Sequence, residues 1–366
     1  MDVKGNAIRP FIRRCEVNTR KLPLIICFFF VQSAFAQHLL QLVVDGTPEQ
    51  IQTALSVGAD VEERDAEGIT PLMYAAAKNR DLGIISTLLK AGAKIDDRDD
   101  HERTPLLWAA EESSNPDIIT TLLNAGANIN DMDIGKWTPL LCAAASNSSP
   151  DIITTLIKAG ANINDRDTSG MTPLMLAAWH NQNGEVVSAL LKAGANINDR
   201  DAIAGCSSLM YAAMYNPSPA VISMLLKAGA KIDDKDLMSE TPLIHAAWDN
   251  NAKVVSILLN AGANRDYRDG FGRTPLMYAA WGNNAEVVSI FIKVGLAIND
   301  KDLDGMTSLM WAAKNNHNPD VISTLLKAGA NGTLNSKEGK TAFDYAADNE
   351  KIKGTQTYWE LNNARF

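Results

Sequence analysis

The stretch TPLMLAAWHNQNGEVVSALLKAGANINDRD, Thr172 to Asp201, decides how the chain folds. Thr172 suits a helix N-cap, because its hydroxyl accepts from an orphan backbone N–H of the first turn. Pro173 follows at the first helical position, where its missing N–H costs nothing. Leu174, Ala177 and Ala178 share one face at helical spacing, and the two alanines let a neighbouring helix come close. Asn181 to Gly184 reads as a polar break. Val186, Val187, Leu190 and Leu191 then supply the apolar stripe of a second helix. Gly194 ends it, since glycine enters the left-handed C′ conformation without a Cβ penalty. Asp201 and Gly205 bracket a turn that leads into the next unit.

The same pattern opens at Thr70, Thr104, Thr138, Thr172, Ser207, Thr241, Thr274, Thr307 and Thr341, at intervals of 33 to 35 residues. Self-similarity at this period implies supersecondary units stacked on their neighbours rather than one closed globule. Helices packed about 8–10 Å apart would make the stack a rod or arc roughly 90–100 Å long. TPLMLAA, EVVSALLKAGANIN and D-x-x-G before the next T-P-L resemble the ankyrin repeat from about Gln41 to the C-terminus. The resemblance implies an all-α solenoid of stacked helix–turn–helix units with projecting β-hairpin loops. Residues 37–366 then form a single repeat domain: an N-terminal capping repeat at 37–67, eight repeats at 68–337 and a C-terminal capping repeat at 338–366. Two departures stand out. The family's usual histidine after T-P-L is replaced by Met73, Leu107, Leu141, Met175, Met210, Ile244, Met277 and Met310, which predicts loss of its turn hydrogen bond. The turn glycine is replaced by Glu102, Lys136 and Ser239, and Ala204 adds a residue to another turn, which predicts distorted tips.

Residues 1–36 stand outside the repeats. Five Lys/Arg residues between Arg9 and Lys21 precede LPLIICFFFV, and Ser33-Ala34-Phe35-Ala36 supplies small residues at the positions a signal peptidase reads. A signal peptide cleaved after Ala36 is expected, with a periplasmic or secreted product. The apolar run is shorter than the about 20 residues needed to span a bilayer, so stable membrane insertion is not expected. Without this segment the chain carries 28 basic and 41 acidic side chains, a net charge of −13. That balance argues against nucleic acid as a partner. Cys15 and Cys27 leave with the signal. Cys142 and Cys206 lie about two repeats apart, too far to bridge.

No catalytic or metal-ligand motif appears: HExxH, CxxC, GxSxG and a P-loop are all missing. Four of the five histidines (His38, His101, His180, His317) and His245 fall at unrelated positions, which reads as scattered surface residues. No enzymatic activity, cofactor or metal is expected. Asp97, Asp131, Asp165, Asp199, Asp234 and Asp300 occupy one repeat position, and Arg98, Arg166, Arg200, Lys235, Arg268 and Lys301 the next. These predict neutralised charge columns on the turns. Asp65 and its counterparts begin each turn and read as structural.

The sharper signal is aromatic. On the first helix of each unit, the face opposite the Leu-Ala-Ala stripe holds the positions of Leu176, Trp179 and His180. The Leu176 position carries Tyr74, Trp108, Tyr211, Tyr278 and Trp311 in other units, besides Cys142, His245 and Tyr345. The Trp179 position carries Trp248 and Trp281, and Tyr215 matches His180. Trp and Tyr dominate interaction hot spots, so these rings predict a binding surface on the concave face. For the Leu176 column, partly buried framework is an equal reading. Asp249, Asn250, Asn283 and Asn284 read as a polar rim. The expected function is a monomeric scaffold that binds a protein partner. Small-molecule or carbohydrate binding on the same rings is the alternative.

Overall fold

The structure, a computed structural model, describes residues 39–78 and 81–366. The expected signal peptide, its cleavage point and His38 lie outside the described residues. Among the described residues the chain forms twenty helices and no strand, with one isolated bridge between Arg200 and Ser207. The helices come in pairs. In the Thr172 unit they are Pro173–His180 and Gly184–Lys192. Each first helix packs on the first helices before and after it, and each second helix does the same. The pairs therefore form two layers.

The core follows from the repeat pattern. In every internal unit three residues of the second helix are fully buried, as are Val186, Val187 and Leu190 or Ile222, Val221 and Leu225. The Ala-Ala pairs of the first helices are buried from Ala75-Ala76 to Ala312-Ala313, which is what allows those helices to approach closely. Truncating one such branched side chain costs about 2–5 kcal/mol. Each internal second helix ends on a glycine with φ between 84° and 104°. Its following residue bonds back to a carbonyl five residues earlier, as Ala195 N does to Leu190 O at 3.1 Å.

Methionine takes over part of the lost histidine's role. Thr70, Ser207 and Thr274 each donate their backbone N–H to the sulfur of Met73, Met210 and Met277 at 3.4 Å. The expected loss of that bond is corrected to its replacement by a weaker, thioether-accepted one. Where leucine stands there instead, in the Thr104 and Thr138 units, the cap hydroxyl has no partner.

The three turns without glycine are not distorted. Glu102, Lys136 and Ser239 adopt φ of 62°, 61° and 63°, close to the 71–79° of the turn glycines. The Asp carboxylate holds the backbone there: Asp99 Oδ1 accepts from His101 N at 2.8 Å and Arg103 N at 2.9 Å. The strain sits in a left-handed side-chain-bearing residue, at about 1–2 kcal/mol.

At the ends, Leu39–Asp45 and Pro48–Ser56 form the first pair, with Gln41, Gln50 and Gln52 exposed. The last helix, Gln356–Asn363, buries Leu361 and leaves Trp359 exposed.

Candidate functional site

The first helices carry two aromatic columns three residues apart, and the structure separates them. In the first, four rings are tied to the Asp that opens their own unit, nine residues earlier, and Tyr345 meets Ser336 in the same way. Tyr74 Oη donates to Asp65 Oδ2 at 2.7 Å, and Trp108 Nε1 to Asp99 Oδ2 at 2.9 Å. Tyr278 Oη lies 2.7 Å from Asp269 Oδ2 and 2.5 Å from Glu240 Oε1, with its one proton shared between the two carboxyl groups. Trp311 Nε1 donates to Asp302 Oδ2 at 2.8 Å. Burial, with the carboxylate of Asp201, raises the Tyr211 hydroxyl above its usual range. The same Asp closes the turn with its other oxygen. One carboxylate thus fixes a backbone turn and the ring folded over it. In Tyr74, Trp108, Tyr278 and Trp311 the polar edge of the ring is engaged by a turn carboxylate inside the fold, which favours the framework reading of that column.

Leu176 and Cys142 share the column without an N–H or O–H to give, and both are buried. Leu176 packs with Met171 and Met175 beneath Trp137, Trp179 and Tyr211. The helical wheel placed Leu176 on an open face. Met171 of its own turn, with Trp137 and Tyr211 of the neighbouring units, encloses it.

The second column is built differently. The side chains of Trp179, Trp248 and Trp281 make no hydrogen bond among the described residues. They stack instead. Trp179 lies 4.4 Å from His180, 5.2 Å from Tyr211 and 4.9 Å from Tyr215, ring centre to ring centre. Trp248 stacks on Trp281 at 5.2 Å, and Trp281 on Trp311 at 4.6 Å. Trp248 is 41% exposed and Tyr215 54%. Gly282 makes this possible: a Cβ there would meet Trp248 Cδ1 at 2.3 Å. Every other unit with a described residue at that position has a side chain there.

Two cavities flank the second stack. One, of about 600 Å³, lies beside Trp248 and Trp281 and is edged by Asn284, Asn315 and Asn318. The other, of about 490 Å³, opens between Tyr215 and Trp248. Its floor holds Cys206, Asp236, Glu240 and His245. His245 is only 7% exposed, whereas His101, His180 and His317 are exposed. The surface reading of the histidines is therefore corrected for His245, which fills the first column and sits 3.0 Å from Asp236 Oδ2. Cys142 and Cys206 are both free and buried.

Two expected site residues move to another role. Asn250 and Asn283 are not a rim but members of a buried ladder. Asn250 Nδ2 donates to Ala213 O at 2.7 Å and Asn216 O at 3.2 Å, and Asn283 Nδ2 to Ala247 O at 3.0 Å and Asn250 O at 2.9 Å. Asn147, Asn181, Asn216, Asn316 and Asn349 do the same, each capping carbonyls of the unit before it. These amides satisfy the orphan carbonyls at the helix ends. A column of Asn two or three residues after the Ala-Ala pair is the sequence signal, hidden inside what reads as a polar break.

The turn charges also pair across units. Arg64 meets Asp97 at 2.6 Å, Arg98 meets Asp131 at 3.2 Å and Arg166 meets Asp199 at 3.0 Å. Each guanidinium also donates to carbonyls of its own and the next turn, as Arg166 Nη1 does to Gly170 O and Arg200 O. These charge pairs link each turn to the next along the stack.

Among the described residues no helix is long and apolar enough to cross a membrane. A family model described as ankyrin repeats (3 copies) matches residues 39–133, 131–201, 209–302 and 283–357. No curated protein matches the chain.

Proposed function

Because the chain belongs to the ankyrin repeat family, whose repeats are generally protein–protein interaction scaffolds, we propose that it is a non-enzymatic scaffold whose concave aromatic platform grips a protein segment. One observation carries this reading. Trp179, Trp248 and Trp281, with Tyr215, present stacked ring surface that no internal hydrogen bond uses. Large rings held flat by their neighbours lose little freedom on binding, which is what a hot spot requires. Export as a signal-peptide product, to a periplasm or beyond the cell, is part of the proposal and rests on residues 1–36. Sequencing the N-terminus of the exported protein tests it, and Gln37 is the expected first residue.

The cavity beside Trp248 and Trp281 favours a second reading. Two indole faces next to three amide side chains suit a carbohydrate, whose rings stack on aromatics and whose hydroxyls bond to amides.

The experiment is capture of a partner with the purified protein, followed by titration of that partner against the double variant Trp248→Ala, Trp281→Ala. A loss of about 2 kcal/mol or more in binding is expected. Unchanged affinity would move the site to the turns.

A further inference from the structure

Cys206, Asp236 and His245 come from two consecutive units and meet at the floor of the cavity between Tyr215 and Trp248. Their ligand atoms all lie within 4.8 Å of one another. Asp236 Oδ2 is 3.0 Å from His245 Nε2 and 4.0 Å from Cys206 Sγ. Glu240 Oε2 stands on the other side of the imidazole, 3.7 Å from Nδ1.

This chemistry belongs to one place in the stack. Among the aromatic-column residues His245 is the one imidazole. Cys206 and Glu240 occupy the position just before the helix cap, where Arg103 and Arg273 stand in other units. Those guanidiniums serve the locked ring and its Asp: Arg103 lies 4.5 Å from the Trp108 ring, Arg273 lies 5.2 Å from the Tyr278 ring, and Arg273 Nε is 3.3 Å from Asp269. At His245 the cation is replaced by a thiol and a carboxylate. The nearby guanidinium of Arg200 is already held by Asp234 and by the carbonyls of Gly205 and Lys235. Asp236, Glu240 and the Cys206 thiol thus share the cavity floor with the His245 imidazole.

We propose that Cys206 Sγ, Asp236 Oδ2 and His245 Nε2 form a site for a divalent transition-metal ion of the zinc class. Thiolate and imidazole select zinc over magnesium or calcium, which take oxygen. Zinc bonds of about 2.0–2.3 Å set tetrahedral ligand atoms about 3.3–3.8 Å apart. The present separations straddle that range, so rotation of the side chains closes the site without moving the helices. Binding of the cation as a thiolate complex releases the Cys206 proton to solvent. Glu240 then accepts from His245 Nδ1–H and orients the ring. The fourth position faces the cavity, open to water or to a donor atom of whatever enters between Tyr215 and Trp248.

The repeats themselves supply variants that respect the fold. His245→Tyr installs the residue of the Tyr74 and Tyr278 units, and Cys206→Met that of Met171 and Met306. Cys142→Ser is the control for the other buried thiol. The metal-stripped full chain is titrated with Co²⁺, and Zn²⁺ is then added in competition. One Co²⁺ per chain is expected, with a thiolate-to-cobalt charge-transfer band and strong d–d bands of a four-coordinate ion, both erased by one equivalent of Zn²⁺. His245→Tyr and Cys206→Met should each weaken binding beyond the about 10–100-fold that loss of a ligand's hydrogen-bond partner costs. Cys142→Ser should leave the titration unchanged. No charge-transfer band in the parent protein would overturn the proposal, as would a band that survives Cys206→Met or disappears with Cys142→Ser. Circular dichroism of each variant separates loss of the site from loss of the fold.

Discussion

Trp311 and Trp248 are the same residue on equivalent helices two units apart, yet they do different things. Trp311 stands three residues after the cap-adjacent Ser308 and gives its N–H to Asp302 at 2.8 Å. Trp248 stands one turn further along, gives its N–H to no described residue, and lies flat on Gly282 with 41% of its surface exposed. The first ring completes a turn. The second is a platform held only by stacking. An aromatic in a solenoid therefore declares its role by what its polar edge meets, rather than by its face of the helix. The locked column keeps each unit's turn folded on its own helix, and the second column is the one the proposed partner would use.

The largest way to break that division is to remove the acceptor. The Asp269 side chain is fully buried. It accepts from Phe271 N at 2.9 Å, Arg273 N at 2.7 Å and Tyr278 Oη at 2.7 Å. Asp269→Ala strips the turn and leaves Arg273 without its carboxylate. A loss of about 3–5 kcal/mol in urea unfolding is expected.

Acidity and alkalinity probe the same locks from both sides. Burial works against the charge of Asp65 and Asp236. The hydrogen bonds from Tyr74 and His245, and from backbone N–H groups, still hold both carboxyls below the usual range. A carboxyl whose pKa is lower folded than unfolded stabilises above its unfolded value, and that stability is lost as pH falls through the folded one. The urea midpoint should therefore drop below about pH 4. Tyr74 runs the other way: its bond to Asp65, then burial, pushes it up to about 12. Its contribution is complete below about pH 10 and is lost as pH rises toward about 12. Tyr74→Phe should remove its share of the alkaline loss, which a pH series of unfolding midpoints reads directly.

How much of this was legible in sequence follows from where the interactions close. Caps, stops and helix stripes are local, so Thr172, Pro173, Gly194 and the Val186-Val187-Leu190 stripe stated themselves. The Asp-to-ring lock closes across nine residues through a turn, and a helical wheel drawn on one helix cannot see it. That is why Leu176, enclosed with Met171 of its own turn, looked open. The asparagine ladder closes only across 33 to 38 residues, between units. Asn250 and Asn283 were therefore mistaken for a rim. His245 hid because histidines were compared by scatter instead of by column.

The smallest expected effect lies in the turns that both columns share. Lys136 holds φ of 61° where other units have glycine. Lys136→Gly should stabilise by about 1 kcal/mol by relieving the left-handed backbone. Gly170→Ala, at φ of 79° with Ala202 in the way of a Cβ, should do the reverse.

The most direct measurement sets the two columns against each other with one substitution: urea unfolding of Trp311→Ala and Trp248→Ala, side by side. Trp311→Ala should lose about 3 kcal/mol, because it empties the packed space over the turn and orphans Asp302. Trp248→Ala should lose about 1 kcal/mol or less, the worth of an exposed stacked ring. Equal losses, or a larger one for Trp248→Ala, would contradict the division between a locked column and a free one, and would put the binding platform back into the framework.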